Sequence, residues 1–209
     1  VDFTCPNIWE DETENDIWEL EKLPIEIKNN PIKKVKTLNF TNIRQPDMRN
    51  EIKKGIYLLL QKEAIATVTK GITAGKRLTE YLHKKHPKMQ SLGELDRDIF
   101  EEYLIHLKTD RTRTKSLHGE ITRLRALLEA VGKTYKYPIL ENLIINRDIP
   151  PTARAEFRTY SDEELKRLNA EIVKMNEQIA RLMILHQMLG TRISDTLTLR
   201  TDCLRGQPG

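Results

Sequence analysis

Gly190-Thr191-Arg192-Ile193-Ser194-Asp195-Thr196-Leu197-Thr198-Leu199 is the stretch from which the rest of this 209-residue chain is best read. Upstream of it, the apolar run Ile179 to Leu189 reads as a buried helix stopped by Gly190, since glycine enters the left-handed conformation of a helix end without strain. Thr191 then offers a hydroxyl cap for a new helix whose first residue is Arg192. A guanidinium is thereby placed at a helix N-terminus, where free N–H groups and the positive end of the helix favour an anion. Its planar five-donor fork adds bidentate geometry, and a phosphodiester is the anion that suits it. The plain alternative is a surface ion pair between Arg192 and Asp195, three residues on.

Working outward, 209 residues suit one large or two small domains with a core of their own. Charged residues make up 32% and aromatics 6%, a surface-rich composition that fits a helical protein. No apolar run approaches the roughly 20 residues that span a bilayer, and the N-terminus is acidic rather than signal-like, so a cytoplasmic protein without a membrane partner is expected. Cys5 and Cys203 lie at opposite ends, which argues against a disulfide framework or a zinc site. The chain starts at Val1 and stops at Gly206-Gln207-Pro208-Gly209 just after a promising helix, so a fragment of a longer protein is expected. The net charge of +4 hides an asymmetry. Residues 1 to 30 carry nine acidic groups against Lys22 and Lys28, a net of −7, which leaves +11 on residues 31 to 209. A basic remainder of that size points to a polyanionic partner, nucleic acid being the usual one.

Residues 1–45 read as an arm, acidic then basic, with a possible short strand around Val35, Thr37, Leu38 and Phe40 and with Trp9, Trp18 and Leu20 as packing residues. Residues 46–145 carry a helical pattern in four parts. A helix near 48–63 aligns Ile52, Ile56, Leu59 and Leu60, and a second near 67–85 aligns Val68, Ile72, Gly75, Leu78 and Leu82 before Pro87. Asp96 caps a third that buries Ile99, Phe100, Tyr103, Leu104 and Leu107. The fourth, near 114–131, aligns Leu117, Ile121, Leu124, Leu128 and Val131 and closes at Gly132. Residues 146–158, with Pro150-Pro151, read as a linker. In the remainder, 159–209, the capping box Ser161-Asp162-Glu163-Glu164 opens a helix burying Leu165, Leu168, Ile172 and Met175.

The polar faces of the second and fourth helices carry charge. Lys70, Thr73, Arg77 and Lys84 fall within about 60 degrees of one another on a helical wheel, opposite Ile72 and Leu82. On the fourth helix Lys115 and Arg123 flank Gly119 and Thr122, with Arg111 and Arg113 just before its start. Cations mixed with small hydroxyl residues at a helix face suit phosphate contacts that position a protein on double-stranded DNA. Solvated helix faces are commonly Lys-rich as well.

The 190–199 segment resembles box I of the tyrosine recombinase (phage integrase) superfamily, whose pattern runs apolar helix, Gly, small or apolar residue, Arg, Ile, Ser, Glu or Asp, x, Leu, x, Leu. Gly190, Arg192, Ile193, Ser194, Asp195, Leu197 and Leu199 match it, and Asp202 stands where members often carry an acidic residue. The helical domain upstream is similar in layout to the family's DNA-clamping core-binding domain, and the Ser161 capping box to the opening of its catalytic domain. The fold the resemblance implies is mainly α, a four-helix SAM-like core-binding domain followed by the first helices of a truncated catalytic domain.

The resemblance also implies a transposon- or phage-type site-specific enzyme that cuts and rejoins DNA through a 3′-phosphotyrosyl intermediate, self-associating on DNA. Such chemistry conserves bond energy in the covalent link and needs no nucleotide cofactor or metal. Arg192 would be the first of two arginines that stabilise the developing charge, with Asp195 supporting neighbouring groups. The family's later Lys, His-x-x-Arg and Tyr cannot be placed in the ten residues after Leu199, so these residues alone are expected to bind DNA without cleaving it. Tyr160 precedes Arg192, against the family order, and is read as a packing residue; His186 is read as a core residue. His83-x-x-His86 has metal-ligand spacing but three lysines around it and no third ligand nearby, so no metal is expected there. Two other readings stay open: a non-catalytic helical DNA-binding regulator, and a helical protein-interaction module whose basic charge serves solubility.

Overall fold

The computed structural model of the chain describes residues 13–26, 34–110, 116–152 and 159–200. They form eight helices and a two-stranded sheet, a mainly helical protein divided into two units, Val1–Thr152 and Ala153–Gly209. In the first unit come β1 (Ile17–Glu19), β2 (Thr37–Asn39), α1 (Pro46–Leu60), α2 (Ile65–Lys85), α3 (Arg97–Thr109), α4 (Leu117–Tyr135) and the single turn α5 (Pro138–Glu141). The second holds α6 (Asp162–Ile172), α7 (Glu177–Leu189) and α8 (Ile193–Leu197).

The apolar positions that recur every three to four residues are the ones buried. Ile52, Ile56 and Leu60 of α1, Val68, Ile72, Leu78 and Leu82 of α2, Phe100, Tyr103, Leu104 and Leu107 of α3, and Ile121, Leu124, Leu128 and Val131 of α4 form one core. Leu59, Ile99 and Leu117 sit half-buried at its margin. Asp96 caps α3 by accepting from the Ile99 N–H at 2.9 Å, and Pro46 occupies the first turn of α1, where its missing N–H costs nothing.

Helix α4 packs on both α1 and α2. Two glycines permit the approach: a Cβ on Gly55 would lie 2.7 Å from Val131 Cγ2, and one on Gly75 would lie 2.7 Å from Leu127 Cδ2. The helix also runs longer than its periodicity suggests. Gly132 is inside it rather than at its end, and the chain turns at Lys136, whose φ of 59° is left-handed. Gly132 serves closeness instead, since a Cβ there would come within 3.0 Å of the Tyr137 carbonyl and Glu141 Cγ.

The described residues before α1, 13–26 and 34–45, are built into this unit. Strand β1 pairs antiparallel with β2, Trp18 opposite Leu38, and both side chains turn inward with Phe40, whose ring centroid lies 4.8 Å from that of Trp18. Asp16 fixes the strand to α1 through Lys53 at 2.7 Å and through Arg49. Glu51, buried on α1, accepts from Ser91 Oγ at 2.5 Å, the Leu92 N–H at 2.7 Å and Tyr137 Oη at 3.2 Å, joining three separate segments. The start of the expected linker also belongs here: Asn146–Asp148 is a tight turn tied to α3, and Ile149 packs on the core.

In the second unit the Ser161 capping box forms, Ser161 Oγ accepting from the Glu164 N–H while the Glu164 carboxylate accepts from the Ser161 N–H at 2.8 Å. Of the residues expected to be buried from α6 onward, Ile172 is; Leu168 is half-buried, Leu165 is 36% exposed and Met175 44%. Helix α7, whose apolar run reads in sequence as a buried helix, buries none of its residues. Three short helices have too little mass to cover more than one face of each other. Tyr160, read as a packing residue, is exposed.

Candidate functional site

Between α2 and α4 runs a groove of about 340 Å³, and it gathers residues from both basic faces. Lys70, Thr73 and Arg77 come from α2, and Gly119 and Arg123 from α4. The two helices meet here over small residues. Ala74 lies on one wall, and a Cβ on Gly119 would meet nothing within 4 Å, so the floor beside it is open space. Thr73 Oγ1 donates back to the Thr69 carbonyl at 3.0 Å and Thr122 Oγ1 to His118 at 2.8 Å, bonds that keep these hydroxyls close to their own helices.

The groove also holds a carboxylate that the charge pattern did not single out. Glu120, in the first turn of α4, accepts from Arg77 Nη1 at 2.5 Å, and its side chain is only 7% exposed against 37% for Arg77. The acid lies at the floor and the guanidinium toward the rim. Arg123 Nη1 is 3.8 Å from Glu63 Oε2, an ion pair too long for a hydrogen bond. Lys70 is exposed. Among the described residues that line it, Lys70, Arg77 and Arg123 stand with the single carboxylate of Glu120 beneath them, so the groove presents donors suited to an anionic chain such as a phosphodiester backbone.

Lys84 is not part of it. Seven residues beyond Arg77, it shares the azimuth but stands about 10 Å further along the axis, and there it pairs with Glu80 at 2.7 Å. Arg111, Arg113 and Lys115 lie outside the described residues. Of the pair His83 and His86, His86 Nε2 lies 3.2 Å from Glu102 Oε2, and among the described residues no three His, Cys, Asp or Glu side chains gather. No described helix is long and apolar enough to cross a membrane.

The 190–199 segment forms a second candidate site. Gly190 ends α7 with φ 61°, its N–H donating to the His186 carbonyl at 2.9 Å. Thr191 does not cap the next helix. Its hydroxyl lies 2.7 Å from that of Thr196, and Arg192 itself occupies the cap position of α8 with extended backbone and no capping bond from its side chain. Helix α8 has five residues, so the anion affinity of its N-terminus is small and the Arg192 guanidinium supplies most of the charge. Arg192 and Asp195 are both exposed, and no described carboxylate pairs with Arg192. His186, half-buried, donates from Nδ1 to the Thr191 carbonyl at 2.9 Å, which braces the turn that carries Arg192.

Compared with known proteins, the chain is similar to transposase B from transposon Tn554 of Staphylococcus aureus strains Mu50 and N315, 26% identical over 196 residues that cover 93% of this chain and 31% of each relative. It is also similar to transposase B from transposon PsiTn554 of Staphylococcus aureus, 27% identical over the same length with the same coverage. The relatives are transposases. The similarity reaches across both units, since 196 of 209 residues cannot be found in either alone. This chain spans about a third of the length of these relatives, 31% of each. No family model matches the chain. No solved structure matches it either.

Sequence reasoning missed Glu120 and Glu63 because a glutamate beside cations on a helix wheel is indistinguishable from solvated surface. The signal for Glu120 was present in one respect: an acidic residue in the first turn of a basic helix is favoured by the helix's positive end.

Proposed function

We propose that this chain is the DNA-binding portion of a transposase of the tyrosine recombinase type, a site-specific enzyme that cuts and rejoins DNA through a 3′-phosphotyrosyl link. The observation that carries the reading is the α2–α4 groove, which brings Lys70, Arg77 and Arg123 together over the open floor at Gly119. The similarity to the Tn554 transposases supports it. In this reading the groove follows the phosphate backbone of a duplex, and its cations fix the position of the protein without reading bases. In this reading Lys84, further along α2, and Arg111, Arg113 and Lys115, which precede α4 in sequence, add to that contact.

Arg192 serves the chemistry. Exposed at the start of α8, it grips the scissile phosphate and offsets the charge that builds on the phosphoryl oxygens in the transition state. Asp195, one turn on, orients neighbouring groups through hydrogen bonds. All six tyrosines of the chain precede Arg192, so none stands in the family's order for the nucleophile. The parent acts without a metal or nucleotide, and copies of it assemble on DNA.

Titration of labelled duplex with the wild-type chain and with Arg77→Ala and Arg123→Ala, between about 50 and 200 mM salt, tests the groove. Binding should weaken steeply with salt, and each substitution should lower the salt slope by about one phosphate. Salt-independent or absent binding sinks the reading and leaves a protein-interaction module. In the longer parent, Arg192→Ala should keep duplex binding and reduce strand cleavage by about a hundredfold or more.

A further inference from the structure

We propose that Glu120 is a positioning residue for DNA binding, one that holds the Arg77 guanidinium in the orientation that meets a phosphate. The inference rests on the reading of the α2–α4 groove as a DNA contact surface. Charge alone makes a carboxylate there a puzzle, because it repels the phosphates the groove is to receive. Depth resolves it. The Glu120 side chain is 7% exposed and lies beneath Arg77, whereas the guanidinium is 37% exposed.

An arginine on a helix surface samples many rotamers, and fixing one of them on binding costs entropy. Here the 2.5 Å bond from Nη1 to Glu120 Oε2 fixes it beforehand. Only one guanidinium nitrogen is committed to Glu120, so donors remain for a bidentate approach to phosphate oxygens. The neighbouring pair is an internal contrast. Arg123 and Glu63 stand 3.8 Å apart without a hydrogen bond, and the Glu63 side chain is 29% exposed. Glu63 therefore acts only as a nearby negative charge, and Glu120 acts as a bracket.

The two roles predict opposite signs for the same substitution. Glutamine keeps the shape of each side chain and removes its charge. Glu63→Gln should tighten binding of a labelled duplex, as any lost repulsion does. Glu120→Gln should weaken it about threefold or more and reduce the salt slope, although the protein has become more positive. In an Arg77→Ala background, Glu120→Gln should no longer weaken binding. Thermal melting of each variant confirms that it is folded. Arg77→Lys, which keeps the charge and loses the fork, covers the case in which Glu120→Gln does not fold: it should bind more weakly than wild type by about threefold or more, though better than Arg77→Ala.

Tightening by Glu120→Gln to the extent seen with Glu63→Gln overturns the positioning role and leaves the groove reading intact. Wild-type binding by Arg77→Lys overturns the positioning role in the same way. An Arg77→Ala protein that binds like wild type overturns the groove reading itself, and the role of Glu120 with it.

Discussion

Arg97 donates from its two Nη atoms to the two carboxylate oxygens of Asp148, at 2.6 and 2.7 Å, and so pins the turn after α5 to the first turn of α3. Arg97 also reaches the Leu143 carbonyl at 2.8 Å, and Asp148 accepts from the Ile145 N–H at 2.9 Å. The Arg97 hydrogen bonds hold the Asp148 carboxyl below its ordinary value of 3.8, with burial opposing them. A depressed carboxylate contributes stability that is present above its unfolded value and is lost as pH falls through the lower folded one. Asp148→Ala removes both bonds to the Arg97 guanidinium but leaves Arg97 paired with Glu101 at 2.8 Å, and it should cost about 1.5–2 kcal/mol in urea denaturation at neutral pH. The gap between variant and wild type should close in acid below pH 3.8.

Glycines in this bundle are expected to respond to alanine with opposite signs. At Gly119 an added methyl enters open space, so Gly119→Ala should stabilise by about 0.5–1 kcal/mol through lost freedom of the unfolded chain. At Gly55 it meets the stiff Val131 side chain at 2.7 Å and its backbone nitrogen at 3.3 Å, and Gly55→Ala should cost about 2 kcal/mol. Denaturant midpoints of the two proteins check both. Gly119→Leu should keep a midpoint at or above that of the wild type while weakening duplex binding, because it fills the groove.

Asp16 is the hinge between the strand pair and α1. Its carboxyl is held low chiefly by the hydrogen bond from Lys53, with Arg49 adding to it. Stability from this latch is therefore complete above the ordinary carboxylate range and fades as pH falls. In a Trp9→Phe background, where Trp18 is the remaining tryptophan, Asp16→Asn should redden the emission and lower the melting temperature at neutral pH. The wild-type protein should show the same reddening on acidification. Emission that stays blue in Asp16→Asn would mean that the apolar contacts of Trp18 with Phe40 and Tyr57 hold the strand unaided.

The second unit should be tolerant on α7 and intolerant on α6. Met188, 79% exposed, and Ile179, 51% exposed, can each become serine with a change within about 0.5 kcal/mol. Ile172, 1% exposed, should cost about 2–4 kcal/mol as alanine. Chemical denaturation of the three variants distinguishes the two surfaces.

Helix positions in the first unit were legible because burial there follows periodicity. Ile52 to Leu60, Val68 to Leu82 and Ile121 to Val131 each face one core, and the Asp96 and Ser161 caps are local chemistry that needs no tertiary context. Periodicity misled for α7, since an apolar circumference records what a helix is suited to contact and not what covers it. The end of α4 was misplaced because Gly132 is there for closeness to α5, and a glycine chosen for space looks in sequence like one chosen for a turn. Of the candidate site, Lys70, Thr73, Arg77 and Arg123 could be found from their azimuth, yet azimuth carries no axial distance, which is why Lys84 was grouped with them. Glu120 was invisible because only the facing of α2 against α4 places it beneath Arg77.

Glu51 is completed by Tyr137, 86 residues later in the chain. During synthesis, α1 leaves the ribosome with its acid buried against nothing, and α2 and α3 follow before the α4 that fills the space between α1 and α2 exists. Translation must therefore run past Tyr137 before this unit can close, and until then the nascent segment offers its apolar faces to chaperones.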